Sequence, residues 1–179
     1  FTNAKLPTVT LTKISNGGTG SFNFSGDNGF GAVQTITTAT SGTGVSGASR
    51  TLAAAGAATT ITEAIPAGYA LASATCTDLG AGGTATPNLA TGALVLDSAA
   101  TAAGSNIACT FTNTKRPTVT LTKVSNGGTG AFTFTGDNGL TSQTITTAVS
   151  GAGVTGAAQT LAAAAVSTTI TEAVPTGFV

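Results

Sequence analysis

Polar and apolar positions alternate along most of the chain. In the stretch from Thr8 to Lys13, Val9, Leu11 and Lys13 fall on one face and Thr8, Thr10 and Thr12 on the other. Phe22 and Phe24 alternate with Ser21 and Asn23. Thr-Ile-Thr occurs at 35–37 and again at 60–62, and Leu-Val-Leu at 94–96 and Cys-Thr-Phe-Thr-Asn at 109–113 continue the pattern. A period of two in β-branched and aromatic residues, broken by turn signals, predicts strands. The turns are "SNGGTG" and "SGDNG", where Asn and Gly supply the positive φ of a tight hairpin. "TLAAAG" has helical character, but its three alanines between Gly and Thr clusters are too few to hold a helix. The pattern predicts six to eight strands per unit, packed as two sheets.

The unit is visible because it recurs. "PTVTLTKISNGGTGSFNFSGDNG" from Pro7 to Gly29 returns as "PTVTLTKVSNGGTGAFTFTGDNG" from Pro117 to Gly139. After a one-residue deletion the copy resumes, Gln34 matching Gln143 and "TTITEAIPAGY" (Thr59 to Tyr69) matching "TTITEAVPTGF" (Thr168 to Phe178). A period of about 110 residues is the size of a domain and too long for a solenoid turn. The expected organisation is the tail of a preceding repeat at 1–3, a complete repeat at 4–114, and a second repeat at 115–179 cut before its last strands. The linker, Asn113 to Pro117, is short and stiffened by proline, which favours a rod over flexible beads.

Composition narrows the function. The chain is 41% hydrophobic, enough for a core, but only 7% charged, with no net charge and no His, Met or Trp. Such a sequence forms β-structure faced with hydroxyls and lacks the high net charge of disordered chains. Nothing basic supports nucleic-acid binding, and no apolar run is long enough for a membrane helix. Without His the commonest general base and metal ligand is missing. Asp27 and Asp137 in the "GDNG" loops give one carboxylate each, too few for calcium, and read as hairpin turns with an Asx cap. The carboxylates are too scattered for a catalytic pair, so the chain is read as no enzyme, with no cofactor and no metal. Rows such as Thr8, Thr10 and Thr12 suit an ice-binding face, but also the wet face of any sandwich.

Cys76 in "SATCTD" and Cys109 in "IACTFTN" both lie on alternating segments of the first unit. Paired, they close a loop of about 34 residues, worth roughly 4 kcal/mol in the chain-entropy model. The other reading is two buried free thiols. A chain of this composition belongs outside the cell, where disulfides persist, and that favours the pair.

"TITEAIPAGY" resembles the strand-Glu-x-x-Pro-x-Gly-Tyr signature of prealbumin-like B-type domains. These are the stalk repeats of bacterial collagen adhesins and SpaA-type pilins. Glu63, Pro66, Gly68 and Tyr69 fill the signature, and Glu172, Pro175, Gly177 and Phe178 fill it again. "TVTLTK" and "FTN-TK" are similar to the family's first and last strands. The resemblance implies tandem all-β immunoglobulin-like or prealbumin-like sandwiches, seven-stranded, used as spacers. In many members it also implies an internal Lys–Asn isopeptide bond formed with help from a buried Glu.

The alternation places candidates for that bond. Lys13 shares parity with Val9 and Leu11, Glu63 with Ile61, and Asn113 with Phe111 and Cys109. Lys and Glu are rarely buried unless paired. Burial lowers a lysine pKa and raises that of a glutamate, giving a neutral amine and a proton-shuttling acid. One departure stands against it. In several members the reacting lysine lies earlier, where Thr10 stands here, and a strand-end Lys13 can instead reach water. In the second repeat Lys123 and Glu172 recur, with the matching Asn expected beyond Val179.

The expected function is a structural module of an extracellular bacterial surface fibre, adhesin stalk or biofilm-matrix protein, in contact with neighbouring repeats and with like fibres. One alternative is a self-assembling filament or pilus subunit completed by strand exchange, with "FTN" at the start as donor. Another is an adhesin domain for glycan or matrix protein, for which the single Tyr and eight Phe offer few exposed aromatic contacts.

Overall fold

A computed structural model describes residues Phe1–Val179, and it contains strands and turns but no helix. It divides into two compact units, Phe1–Lys115 and Arg116–Val179.

The first unit is a sandwich of two five-stranded sheets. One sheet contains β1 (Thr8–Asn16), β4 (Val45–Ser46), β5 (Arg50–Thr51), β7 (Tyr69–Thr77) and β10 (Asn106–Lys115). The other runs in the order β3 (Gln34–Thr38), β2 (Gly20–Gly26), β6 (Thr59–Ala64), β9 (Ala93–Leu96), β8 (Ala85–Asn88). Alternation dictates which side chains enter the space between. Val9 and Leu11 from β1, Phe22 and Phe24 from β2, Ile61 from β6, Leu94 and Leu96 from β9, and Ile107 and Phe111 from β10 are all fully buried. Burying each large side chain contributes roughly 1.5–3 kcal/mol. The threonines between them stay at the surface and close hydroxyl pairs across strands, as Ser21 does with Thr37 at 2.8 Å.

The first and last strands of this unit lie side by side and parallel. Thr8 is beside Asn106, Lys13 beside Phe111 and Ser15 beside Asn113. Antiparallel β7 holds the other edge of β10. A bulge interrupts that pairing between Thr112 and Asn113.

Three expectations change. The unit has ten strand segments where six to eight were expected. β4 and β5 are two-residue pieces against β1, and β8 was hidden by Pro87. That proline is tolerated because β8 is the outermost strand of its sheet. The Asp27 loop is more than a locally capped turn. Asn28 and Gly29 do take positive φ, but the Asp27 carboxylate accepts from the Thr60 N–H at 2.7 Å. Asn28 braces the same region by accepting from Ala54 N–H and donating to Thr59. The linker is also shorter, because Asn113, Thr114 and Lys115 belong to β10 and only Arg116 and Pro117 precede the next strand.

The second unit contains β11 (Thr118–Val119), β12 (Thr122–Lys123), β13 (Ala131–Gly136), β14 (Gln143–Thr146), β15 (Val154–Thr155), β16 (Gln159–Thr160) and β17 (Ile170–Ala173). β13 sits between β14 and β17, while β11 pairs with β16 and β12 with β15. The stretch that forms the nine-residue β1 in the first unit is here two short pieces. Each is paired along one edge only. Val119 and Leu121 are accordingly half-buried, whereas Val9 and Leu11 are fully buried.

Candidate functional site

Lys13, Glu63 and Asn113 meet between the sheets of the first unit. They come from β1, β6 and β10, and none is more than 1% exposed. The Lys13 ammonium nitrogen donates to Asn113 Oδ1 at 2.7 Å and to the Phe111 carbonyl at 3.2 Å. Asn113 Nδ2 donates to Glu63 Oε1 at 2.5 Å, and the same oxygen lies 3.5 Å from Lys13 Nζ. Strand parity explains the meeting. β1 and β10 each point every second residue inward, and a polar residue takes the inward place after the apolar ones end. Thr10 is half-buried on the opposite face of β1 from the inward row of Val9, Leu11 and Lys13. The lysine of this site is therefore Lys13.

Aromatic rings complete the enclosure. Lys13 Nζ lies 4.5 Å from the centroid of the Phe22 ring. Phe24 and Phe111 pack edge to face at 5.1 Å. Alternation alone places these phenylalanines on one strand face, and nothing in their spacing marks them as neighbours of a lysine. In this dry setting burial is the largest influence on Lys13, lowering its pKa to about 8 against the upward pull of Glu63. Burial likewise raises the Glu63 pKa, opposed by Lys13 and by the Asn113 hydrogen bond. Each shift favours the uncharged form. Glu63 Oε2 is buried without a hydrogen-bond partner. An orphaned buried carboxylate oxygen is costly, and a proton on that oxygen lowers the cost.

Gly92 positions Glu63, and no motif announced it. The Glu63 N–H donates to the Gly92 carbonyl at 2.9 Å. Gly92 has φ +77° and sits so close that an added Cβ would overlap the Glu63 carbonyl oxygen. Gly92→Ala is expected to displace β6 at Glu63 and destabilise the unit by about 1–3 kcal/mol. Chemical denaturation of the variant beside the parent checks this.

Cys76 and Cys109 face each other across β7 and β10 and form a disulfide. Cys109 is buried and Cys76 partly so. Cys109 and Asn113 both point inward from β10, one bonded to β7 and the other contacting the lysine of β1.

In the second unit Lys123 and Glu172 again meet, at 2.5 Å. Lys123 Nζ lies 4.2 Å from the Phe132 ring centroid, as Lys13 does over Phe22. Their side chains remain 19% and 27% exposed. No asparagine reaches the pair. Beside it is a cavity of about 360 Å³ whose lining includes Lys123, Phe132, Glu172 and Phe178.

A scan against protein-family models matches the SpaA-type prealbumin-like fold domain at residues 9–115 and again at 119–179. Neither the search of curated proteins nor that of solved structures gave a match. The two matched stretches cover nearly the whole chain, and each contains its own buried or half-buried Lys–Glu pair on the first and sixth strand positions of the repeat. The chain therefore belongs to the SpaA-type prealbumin-like fold domain family.

Proposed function

We propose that this chain is a non-enzymatic spacer of an extracellular surface fibre or adhesin stalk, held by its disulfide and by a self-formed amide between Lys13 and Asn113. Membership in the family makes it a structural pilin or surface-protein module. The observation that carries the finer reading is the Lys13–Asn113–Glu63 contact set, fully buried with the amine 2.7 Å from the Asn113 side-chain oxygen. No helix is long and apolar enough to cross a membrane. The disulfide fits an oxidising compartment outside the cytosol.

The chemistry needs only these three side chains. Neutral Lys13 Nζ attacks Asn113 Cγ, and the new C–N bond forms as the carbonyl electrons move onto Oδ1. Glu63 takes a proton from Nζ and gives one to Nδ2, to which its Oε1 is already hydrogen-bonded. The Cγ–Nδ2 bond breaks and ammonia leaves. The balance is one amine plus one carboxamide giving one amide plus ammonia. Holding the partners in contact replaces a bimolecular encounter with a unimolecular step, an advantage of up to about 7–11 kcal/mol.

Intact mass of the purified chain, with and without reductant, tests this. The expected result is a deficit of one ammonia that reductant leaves unchanged, mapping to a peptide joining Lys13 to Asn113. A deficit of two hydrogens alone, reversed by reductant, would reject the amide and leave the disulfide as the only staple.

A further inference from the structure

We infer that Tyr69 is a positioning residue, its ring holding Phe22 against Lys13 so that the amine stays dry and aimed at Asn113, a role that rests on the Lys13–Asn113 amide. The Glu-x-x-Pro-x-Gly-Tyr stretch then supplies two parts of one site, the proton carrier at its start and a clamp at its end.

A tight turn carries the chain from one part to the other. Glu63 lies on β6 in one sheet, and Tyr69 opens β7 in the facing sheet. Between them the Tyr69 N–H donates to the Pro66 carbonyl at 3.1 Å. Gly68 takes φ +81°, which glycine adopts without a steric penalty. Tyr69 and Leu71 both point inward from β7, next to Lys115 and Asn113 of β10. The Tyr69 hydroxyl donates to the Thr19 carbonyl at 2.8 Å, tying it to the turn between β1 and β2. Its ring meets the fully buried Phe22 edge to face at 5.3 Å, a contact that favours one ring orientation over others. The Phe22 ring in turn lies 4.5 Å from Lys13 Nζ.

The same sequence of contacts recurs in the second unit. Lys123 Nζ lies 4.2 Å from the Phe132 ring, and Phe132 meets Phe178 edge to face at 4.9 Å. The Phe178 N–H likewise donates to the Pro175 carbonyl. Phe178 has no hydroxyl, so the ring alone makes this contact. In the first unit the stack acts on water. A lysine attacks as the neutral amine, and burial is what favours that form of Lys13. Glu63 is the charged group facing Nζ from β6, while the Phe111 carbonyl and Asn113 meet it from β10. Phe22 is the wall on the side of β2. A side chain at position 69 that cannot hold the ring lets Phe22 turn aside. Water then reaches Nζ, the Lys13 pKa rises towards that of an exposed lysine, and less of the amine is neutral at neutral pH.

The test follows the loss of ammonia by intact mass in freshly translated whole chain, transferred to buffers from neutral to alkaline pH. Tyr69→Leu is expected to slow that loss about 10–100-fold at neutral pH, with the rate largely restored at alkaline pH. Phe22→Leu should do the same. Tyr69→Phe keeps the ring and should react close to the parent rate, with the parent pH profile. Cooperative unfolding in guanidinium shows that each variant folds. If Tyr69→Leu does not fold, Phe22→Leu and Tyr69→Phe still decide the matter. Leucine variants with the parent rate and profile would overturn this inference alone. Slowing that alkaline pH does not relieve would overturn it too, because the ring would then support only the fold. A Tyr69→Phe variant as slow as Tyr69→Leu would do so as well, by moving the role to the hydroxyl. A parent chain that never loses ammonia would overturn the amide itself and this role with it.

Discussion

Glu63→Gln is expected to abolish the Lys13–Asn113 amide and to cost more stability than any other single exchange in the first unit. The substitution keeps the volume and removes the carboxyl that moves the proton. The variant should therefore be heavier than the parent by about the mass of the ammonia it fails to lose. The amide would close a loop whose ends are 100 residues apart, and a closure of that length contributes about 4.7 kcal/mol in the chain-entropy model. The variant forgoes this and also strands a buried lysine, a kind of loss that costs about 3–5 kcal/mol. Its stability should depend on pH in a way the parent's does not. With Glu63 present the Lys13 pKa is lowered to about 8, from 10.5 in the unfolded chain. Glu63 pulls that value up, so removing it moves the folded pKa lower still. Between that value and 10.5 the unfolded chain binds the proton and the folded chain does not. Stability of the variant therefore rises with pH across this window, by at most about 1.4 kcal/mol per unit. An amide nitrogen does not titrate, so the parent lacks this rise. Guanidinium unfolding near neutral pH and at about two units higher reads the difference. A variant with the parent's mass and a flat profile would remove Glu63 from the chemistry.

Removing the disulfide by Cys76→Ala with Cys109→Ala is the second large effect. The two residues are 33 apart in sequence, which corresponds to roughly 4 kcal/mol of lost stabilisation. The dependence of stability on denaturant should steepen, because the freed unfolded chain expands and exposes more surface. The amide should still form. Its three residues lie on β1, β6 and β10, and the parallel pairing of β1 with β10 does not involve β7. Unfolding curves and intact mass of the double variant check both points. An ammonia deficit that disappears with the cysteines would show that the disulfide must first fix β10 in place.

The inward placement of Lys13, Glu63 and Asn113 was legible in the sequence because a strand assigns faces by parity. Once Val9 and Leu11 are core, Lys13 has no other side to take. The repeat revealed the unit length, and the Glu-x-x-Pro-x-Gly-Tyr stretch pointed to the family. Other features depend on partners distant in sequence. Alternation is the same for parallel and antiparallel neighbours, so the pairing of β1 with β10 carried no local mark. The brace from Asp27 to Thr60 joins residues whose nearest neighbours only look like turns. Pro87 argued against a strand, and only the edge position of β8 permits one. Gly92 matters through a backbone oxygen of Glu63, a contact no sequence window contains.

The parallel course of β1 and β10 decides how tension passes through the first unit. Thr8 lies at one end of their ladder and Lys115 beyond the other. A pull applied at these two residues loads the ladder in shear, so its hydrogen bonds resist together and cannot be unzipped one by one. Once Lys13 and Asn113 are joined, the load path runs from Thr8 to Lys13, across the new bond, and out from Asn113 to Lys115. Residues 14–112, with the disulfide and most of the core, then lie outside that path. The unit lengthens by only a few residues' worth of chain before covalent bonds carry the force, and its fold is left slack behind them.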